Sequence, residues 1–107
     1  MSCVFKITNM GITETQSQDE YVVDGVKAPR LELNVGMTYI FKNDADGCPL
    51  YITEDAIGGS NKMKSKLELE TDKDGNIIFT PTEKHKTMKL YYQCDHYRLM
   101  GNRLIIK

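Results

Sequence analysis

The sequence is short of long apolar runs, of cysteine and of a surplus of either charge. No apolar stretch approaches the ~20 residues that a membrane-spanning helix needs, so we expect no transmembrane segment. Lysine and arginine together number 14, and aspartate and glutamate number 15, for a net charge of −1. A chain this close to neutral lacks the basic surface on which binding to nucleic acid or to an anionic membrane depends.

The N-terminus and the cysteines favour a reducing compartment. Residues 1–8 already have the pattern of a strand and lack the basic start and apolar core of a secretory signal. We therefore expect no signal peptide and a cytoplasmic location, unless the chain is a mature form. The three cysteines, Cys3, Cys48 and Cys94, are an odd number and do not form the disulfide framework of a small secreted domain. The simplest interpretation is thiols that pack as small apolar side chains.

Runs of strand-forming residues separated by turn residues fill the chain, and no segment keeps a helical period over three turns. Residues 61–70 alternate charged and mostly apolar side chains, which predicts one solvated and one apolar face. Asp24-Gly25 predicts a turn, and Asp74-Gly75-Asn76 predicts a hairpin. Residues 82–88 are predicted to be a charged connection with His85 at the surface. The clearest predicted strands are residues 3–8, 21–23, 31–35, 38–42, 48–53, 77–79, 90–93 and 103–107.

About eight short strands, with no repeat, linker or low-complexity tract, predict an all-β sandwich or barrel with Greek-key connections. The length suits one domain with one core, spanning residues 1–107. The sequence has no Ser-His-Asp constellation, glycine-rich phosphate loop or paired carboxylate motif. We therefore expect that the protein is not an enzyme, and we assign no catalytic and no cofactor-binding residue.

Residues 90–107 are predicted to form a strand, a tight loop and a second strand. The loop contains Cys94, His96 and Met100, whose side chains are the soft and borderline donors that thiophilic metals prefer. A metal loop is one interpretation. The other is a hairpin whose apolar residues close the end of a barrel. The residues of the loop alone leave both interpretations open.

Several segments match, in order and spacing, the motifs of one known family. They are Tyr21-Val-Val-Asp-Gly with Pro29-Arg-Leu-Glu-Leu, Gly36-Met-Thr-Tyr-Ile-Phe, Gly47-Cys-Pro-Leu-Tyr-Ile, Phe79-Thr-Pro, Leu90-Tyr-Tyr-Gln-Cys and Met100-Gly-Asn. With these segments the chain resembles the cupredoxin-like domains, of plastocyanin and azurin type, and in particular the short forms found in phage, large-virus and environmental proteins. The resemblance covers most of the chain from Tyr21 onward. It implies a cupredoxin-like Greek-key sandwich.

The resemblance also implies where a copper ion would bind. Metal-competent relatives hold copper with two histidines, one cysteine and a distant methionine. The cysteine and methionine positions fall on Cys94 and Met100, whereas the two histidine positions fall on Cys48 and Tyr97. His96 lies one residue before its expected position, and in an extended loop that shift turns a side chain to the opposite side.

Three functional interpretations follow from this altered ligand set. Conventional copper electron transfer is disfavoured, because a His₂Cys centre cannot be built with Cys48 in place of a histidine. A soft-metal site could use Cys48, Cys94 and Met100, with His96, for Cu(I), or Cys48, Cys94 and His96 with one further ligand for Zn(II). A metal-free scaffold would instead fill the pocket with Tyr97, Met100 and the two thiols, which could pair as a disulfide in an oxidising setting.

We favour the scaffold: a non-catalytic structural or interaction protein with a degenerate copper site and no bound cofactor. Such a protein would associate with itself or with protein partners through an exposed sheet edge or an apolar patch. Because similar short domains occur in virus particles, the resemblance extends to a minor structural component of a large-virus virion. The alternative is a soft-metal or copper electron-transfer protein that uses Cys48, Cys94 and Met100.

Overall fold

Short β-strands make up nearly all of the regular structure. The computed structural model describes residues 2–10, 20–45, 49–54, 56–57, 66–94, 97 and 99–107. These residues form ten strands: β1 (Ser2–Asn9), β2 (Tyr21–Val23), β3 (Val26–Lys27), β4 (Leu31–Leu33), β5 (Thr38–Asn43), β6 (Leu50–Thr53), β7 (Glu70–Thr71), β8 (Ile77–Phe79), β9 (Leu90–Cys94) and β10 (Arg103–Ile106).

The strands form two sheets, and the chain passes repeatedly from one sheet to the other. The larger sheet has six strands in the order β3-β2-β1-β5-β8-β7, and the smaller has four in the order β4-β10-β9-β6. Both sheets are mixed, because β1 runs parallel to β5 and β4 runs parallel to β10, while the other pairs are antiparallel. The described residues therefore form a β-sandwich.

The core lies between the two sheets. Ile7, Phe41 and Phe79 of the six-stranded sheet are at most 1% exposed, and they belong to one hydrophobic cluster with Leu33 and Leu104 of the four-stranded sheet. Burying each such side chain stabilises the fold by about 1.5–3 kcal/mol. Side chains from both sheets thus build one shared core.

The eight clearest sequence-predicted strands are all present, as β1, β2, β4, β5, β6, β8, β9 and β10. The total of ten described strands exceeds the expected number of about eight, because β3 and β7 add two residues each at opposite edges of the larger sheet. The Asp24-Gly25 turn brings β3 onto β2. Both turn residues have positive φ, 49° and 83°, as a two-residue type I′ turn requires.

The predicted hairpin at Asp74-Gly75-Asn76 is confirmed, because β7 pairs with β8 in antiparallel register. The Asp72 carboxylate closes the turn. It accepts hydrogen bonds from the backbone N–H of Asp74 at 2.9 Å and of Asn76 at 3.0 Å, and a third from the Asn76 side-chain amide at 3.0 Å. These bonds lower the pKa of Asp72 and keep its carboxylate ionised at neutral pH.

The alternation over residues 61–70 is borne out only in part. Residues 61–65 lie outside the described residues. Of the remainder, Leu67 and Leu69 pack partly buried against the core, while Lys66, Glu68 and Glu70 are exposed. The two-faced pattern is therefore correct, but regular pairing is confined to β7 and to an isolated bridge between Lys66 and Thr53.

The sequence predicted His85 at the surface, and this prediction is wrong, because the residue is only 6% exposed. The charged connection forms a 3₁₀ helix over Glu83–Thr87, and this helix turns the His85 ring inward. The ring packs edge-on against Phe79, with 5.0 Å between centroids, and its Nδ1 accepts the Thr82 backbone N–H at 2.9 Å.

Among the described residues, no helix is long and apolar enough to span a membrane.

The same environment favours the neutral form of His85. Burial lowers the pKa of the imidazole, and the nearby positive charge of Lys84 lowers it further. Because Nδ1 accepts the Thr82 N–H, the neutral ring carries its proton on Nε2. A second proton on Nδ1 would face a donor and break the cap of the helix.

Stability is therefore expected to fall in mild acid. The His85 contribution is fully present above the unfolded-state pKa of 6.5 and is lost as the pH falls from that value through the lower folded-state pKa. Urea denaturation between about pH 7.5 and about pH 5 would measure the slope. His85→Gln should flatten the slope near pH 6.5, because glutamine keeps a capping acceptor and does not titrate.

The second histidine of the chain provides the matched control. His96→Gln should leave the His85-dependent slope in place. If His85→Gln and the unsubstituted protein show the same slope, the buried cap does not control acid stability.

Candidate functional site

The candidate site is the loop that joins β9 to β10, and β9 delivers its first residue. Leu90, Tyr92 and Cys94 alternate along β9 and are all 0% exposed, so they face the core. Cys94, the last residue of the strand, pairs with Leu50 at the start of β6. The thiol therefore lies in the apolar interior at the end of the smaller sheet.

Gln93 fixes this loop from the opposite face of β9. Its side chain is 1% exposed although it points away from the core. Its Nε2 donates to the Ala56 carbonyl at 2.7 Å, and its Oε1 accepts the Gly101 N–H at 3.2 Å. The Leu99 N–H also donates to the Ile57 carbonyl, at 2.7 Å. Side-chain and backbone bonds thus tie the loop to the segment that follows β6.

The end of the loop is held against β2 and the segment after β3. Met100 is 0% exposed, and its carbonyl accepts the Tyr21 N–H at 2.8 Å. The Asn102 side chain donates to the Ala28 carbonyl at 2.9 Å. The Tyr92 hydroxyl donates to the carbonyl of the next residue, Pro29, at 2.6 Å, and burial raises the pKa of this phenol. Both ends of the loop are therefore fixed by the protein itself.

Gly101 is required by the closeness of the loop to β9. A Cβ at this position would collide with the Tyr92 carbonyl oxygen and would lie 2.7 Å from Cδ2 of its ring and 2.8 Å from its carbonyl carbon. Backbone atoms of a central strand cannot move aside without breaking the ladder. Glycine is the residue that permits this approach.

Two of the four residues that the sequence assigned to a metal site are buried in the core. Cys94 and Met100 both belong to the hydrophobic cluster of the core. Cys48 and His96 lie outside the described residues. Among the described residues, no group of three or more histidine, cysteine, aspartate and glutamate side chains could hold a metal ion.

Tyr97 is more exposed than a residue that fills the former ligand pocket is expected to be. It was predicted to fill the former ligand pocket, but it is 49% exposed. Leu99 is 52% exposed and has a φ of 58°, in the left-handed region that a branched apolar residue seldom adopts. Of the described loop residues, Tyr97 and Leu99 therefore present their side chains to solvent, while Met100 is buried.

Solved structures of one protein share this architecture. The structure of the copper protein rusticyanin at 2.1 Å resolution superposes with a TM-score of 0.55 and 17% identity, covering 97% of this chain and 78% of that one. A methionine-to-leucine variant of rusticyanin gives 0.51 at 18% identity, covering 97% and 77%. A histidine-to-methionine variant gives 0.50 at 17%, covering 97% and 78%.

The chain has a cupredoxin-like fold. This confirms the fold class expected from the sequence, and identities of 17–18% establish the fold alone. No protein-family model matches the sequence, and no characterised protein matches it by sequence. Within the cupredoxin-like fold, Cys94 and Met100 stand at the two ends of the β9–β10 loop.

The residue that holds the loop was not expected from the sequence. Gln93 was included in an apolar strand, yet a glutamine within Leu-Tyr-Tyr-Gln-Cys is itself a signal, because a polar side chain in such a strand needs buried partners. Its partners, Ala56 and Gly101, are separated from it by 37 and 8 positions. Nothing in the local sequence identifies them.

Substitution of Gly101 tests how tightly the loop depends on this approach. Gly101→Ala is expected to lower the free energy of unfolding by at least about 2 kcal/mol, because the new methyl group meets backbone and not a flexible side chain. Urea denaturation monitored by circular dichroism would measure the loss.

Gly75→Ala is the matched control. Gly75 has open space around it, but its φ of 81° makes alanine strained by about 1–2 kcal/mol. Gly101→Ala should therefore be the more damaging of the two. Equal losses would show that the contact with Tyr92 is relieved by movement of the loop.

Proposed function

We propose that this chain is a non-catalytic structural or interaction protein whose cupredoxin-like fold has kept its architecture and lost its copper centre. The observation that carries the proposal is the state of the ligand positions. The resemblance assigns the two histidine positions to Cys48 and Tyr97, and Tyr97 is half exposed to solvent. A copper centre of the His₂Cys type cannot be built from this donor set, which argues against copper electron transfer.

The two retained sulfur residues also have a role that needs no metal. Cys94 and Met100 are both fully buried, and they belong to the same hydrophobic cluster as Tyr21, Tyr92 and Leu104. Thiol and thioether groups in such surroundings act as apolar filling, and methionine adapts well to irregular gaps. Their retention is therefore explained by packing.

The protein's own hydrogen bonds do what a metal would otherwise do for this loop. The Gln93 side chain holds it to Ala56, and the Leu99 N–H holds it to the Ile57 carbonyl. The Tyr21 N–H holds its other end at the Met100 carbonyl. A loop fixed at three points keeps its shape without a coordinated ion.

An interaction role is supported by the exposed part of the same loop. Tyr97 and Leu99 are 49% and 52% exposed, and Ile57, joined to Leu99 by a backbone bond, is 45% exposed. Neighbouring exposed apolar side chains are typical of surfaces that bind other proteins. A place as a minor component of a large-virus particle rests on the family resemblance, whereas action in the cytoplasm is the expectation from the sequence pattern alone.

One observation favours a soft-metal site as the second candidate. Leu50 pairs with Cys94. Cys48 precedes Leu50 by two residues, so the Cα atoms of Cys48 and Leu50 can be at most ~7 Å apart. The two thiols and the Met100 thioether, with His96, form a donor set that suits Cu(I), and the thiols with His96 suit Zn(II).

Elemental analysis of protein purified under reducing conditions separates these candidates. The scaffold should contain far less than one equivalent of copper or zinc, and a chelator should leave its thermal midpoint unchanged. Added Cu(I) or Zn(II) should also leave the midpoint unchanged. If the folded protein bound the metal, a free metal concentration of about 100 times its Kd would raise the free energy of unfolding by about 2.7 kcal/mol.

Cysteine variants make this test specific. Stoichiometric metal that is lost in Cys48→Ser and kept in Cys3→Ser would refute the scaffold proposal and establish the soft-metal site. Cys3 is a suitable control because it lies on β1, partly buried against the core, and belongs to neither ligand set. Alkylation of Cys94 cannot replace this test, since burial alone protects its thiol.

A further inference from the structure

The six-stranded sheet turns one face to solvent, and its side chains follow from the strand period. Tyr39 and Phe41 of β5 are buried in the core. Because successive side chains on a strand point to opposite faces, Ile40 and Lys42 lie on the outer face. Ile40 is partly exposed and Lys42 is exposed.

An apolar row crosses this face and ends in a carboxylate. Val4 of β1 pairs with Ile40 of β5, Ile40 pairs with Ile78 of β8, and Ile78 pairs with Glu70 of β7. Val4 is 51% exposed, Ile40 and Ile78 are partly exposed, and Glu70 is exposed. Four strands thus present three aliphatic side chains in line to solvent.

A charged row lies beside the apolar one. Lys6 of β1 stands directly opposite Lys42 of β5, and both are exposed. Like charges directly opposite each other destabilise a sheet. No described carboxylate forms an ion pair with either ammonium group, and the Asp24 carboxylate accepts only the Lys6 backbone N–H.

The opposite end of the face has the opposite charge. Glu68, Glu70 and Asp72 lie on and beside β7, at the edge of the sheet away from the two lysines. Asp72 follows Thr71 in the hairpin and so stands level with the lysine row, one residue beyond the Thr71–Ile77 pair. Basic side chains therefore flank the aliphatic centre on one side, and acidic side chains flank it on the other.

We propose that this outer patch, formed by Val4, Lys6, Ile40, Lys42, Glu70 and Ile78, binds a second copy of the chain. The contact is a two-fold, face-to-face packing with the axis parallel to β5 and β8. Such an axis keeps each row at its own level and sets β5 of one copy over β8 of the other, so that Ile40 packs against Ile78. It also sets β1 over β7, so that Lys6 stands over Asp72 and Val4 over Glu70, with the Glu70 carboxylate two residues along β7 from the position opposite Lys6. A self-complementary arrangement of this kind is what a closed dimer requires.

The charge pattern favours a second copy over an unrelated partner. An acidic partner would neutralise Lys6 and Lys42 but would be repelled by the carboxylates of β7, and a basic partner would meet the reverse problem. In a two-fold dimer, the basic side of each patch meets the acidic side of the other, so both charged sides gain partners of opposite sign. The inference rests on the proposed function, since it names the partner of the interaction protein.

Sedimentation equilibrium over a range of protein concentrations tests the proposal. The unsubstituted chain should show a monomer–dimer equilibrium, and Ile40→Glu should raise the dimer Kd at least tenfold, because it places a carboxylate at the centre of the contact. Ile40 faces solvent in the monomer, so the variant should retain its circular dichroism spectrum.

Ile105→Glu is the matched control, since it makes the same change on the outer face of the other sheet. Ile105 is partly exposed and stands beside Glu32 on β4. This variant should dimerise with an unchanged Kd. A monomeric unsubstituted chain at all concentrations, or equal effects of Ile40→Glu and Ile105→Glu, would overturn the proposal.

Charge reversal tests the two-fold geometry directly. Lys6→Glu and Glu70→Lys should each weaken the dimer, and the double variant should recover at least half of the lost binding free energy. Additive losses in the double variant would exclude this contact.

The dimer and the metal-free scaffold can fail separately. A dimer that contains stoichiometric metal would refute the metal-free scaffold and leave the dimer proposal intact. A monomer without metal would refute the dimer proposal and leave the scaffold intact.

Discussion

The packing of Tyr92 is the constraint on which the rest of the candidate site depends. Its ring contacts Tyr21 of the opposite sheet with 6.1 Å between centroids, and its hydroxyl donates to the Pro29 carbonyl at 2.6 Å. On the other side, its backbone carbonyl lies so close to Gly101 that no Cβ fits. One residue thus joins the two sheets, fixes the segment before β4 and sets the path of the β9–β10 loop.

Local patterns predict the strands, and the family resemblance predicts the sandwich that they form, but no local pattern predicts which distant strands pair. Alternation and turn residues are local, so the hairpin closed by Asp72 and Gly75 could be anticipated. The parallel pairing of β1 with β5 and of β4 with β10 joins segments that are distant in the chain, and no local pattern encodes that choice. The burial of His85 is likewise set by its contact with Phe79 on another element.

The candidate site shows the same division. The motif resemblance placed Cys94 and Met100 at the two ends of one loop, and the structure gives both a buried position in the core. It could not give the direction of Tyr97, because a side chain in an irregular loop has no periodic rule to follow. Nor could it give the partners of Gln93, since a buried amide is satisfied by whatever carbonyl and N–H the fold brings near.

In the proposed metal-free scaffold, the surface is free to change. The hydrogen bonds from Gln93 and to Met100 hold the ends of the loop, so in this proposal the loop does not depend on a coordinated ion for its shape. Selection can then act on exposed side chains. The lysine pair of Lys6 and Lys42 illustrates the point, because it is unfavourable in the isolated sheet. A partner whose carboxylates approach these two lysines would offset the repulsion between their ammonium groups. The repulsion present in the isolated sheet would then favour binding of that partner to this face.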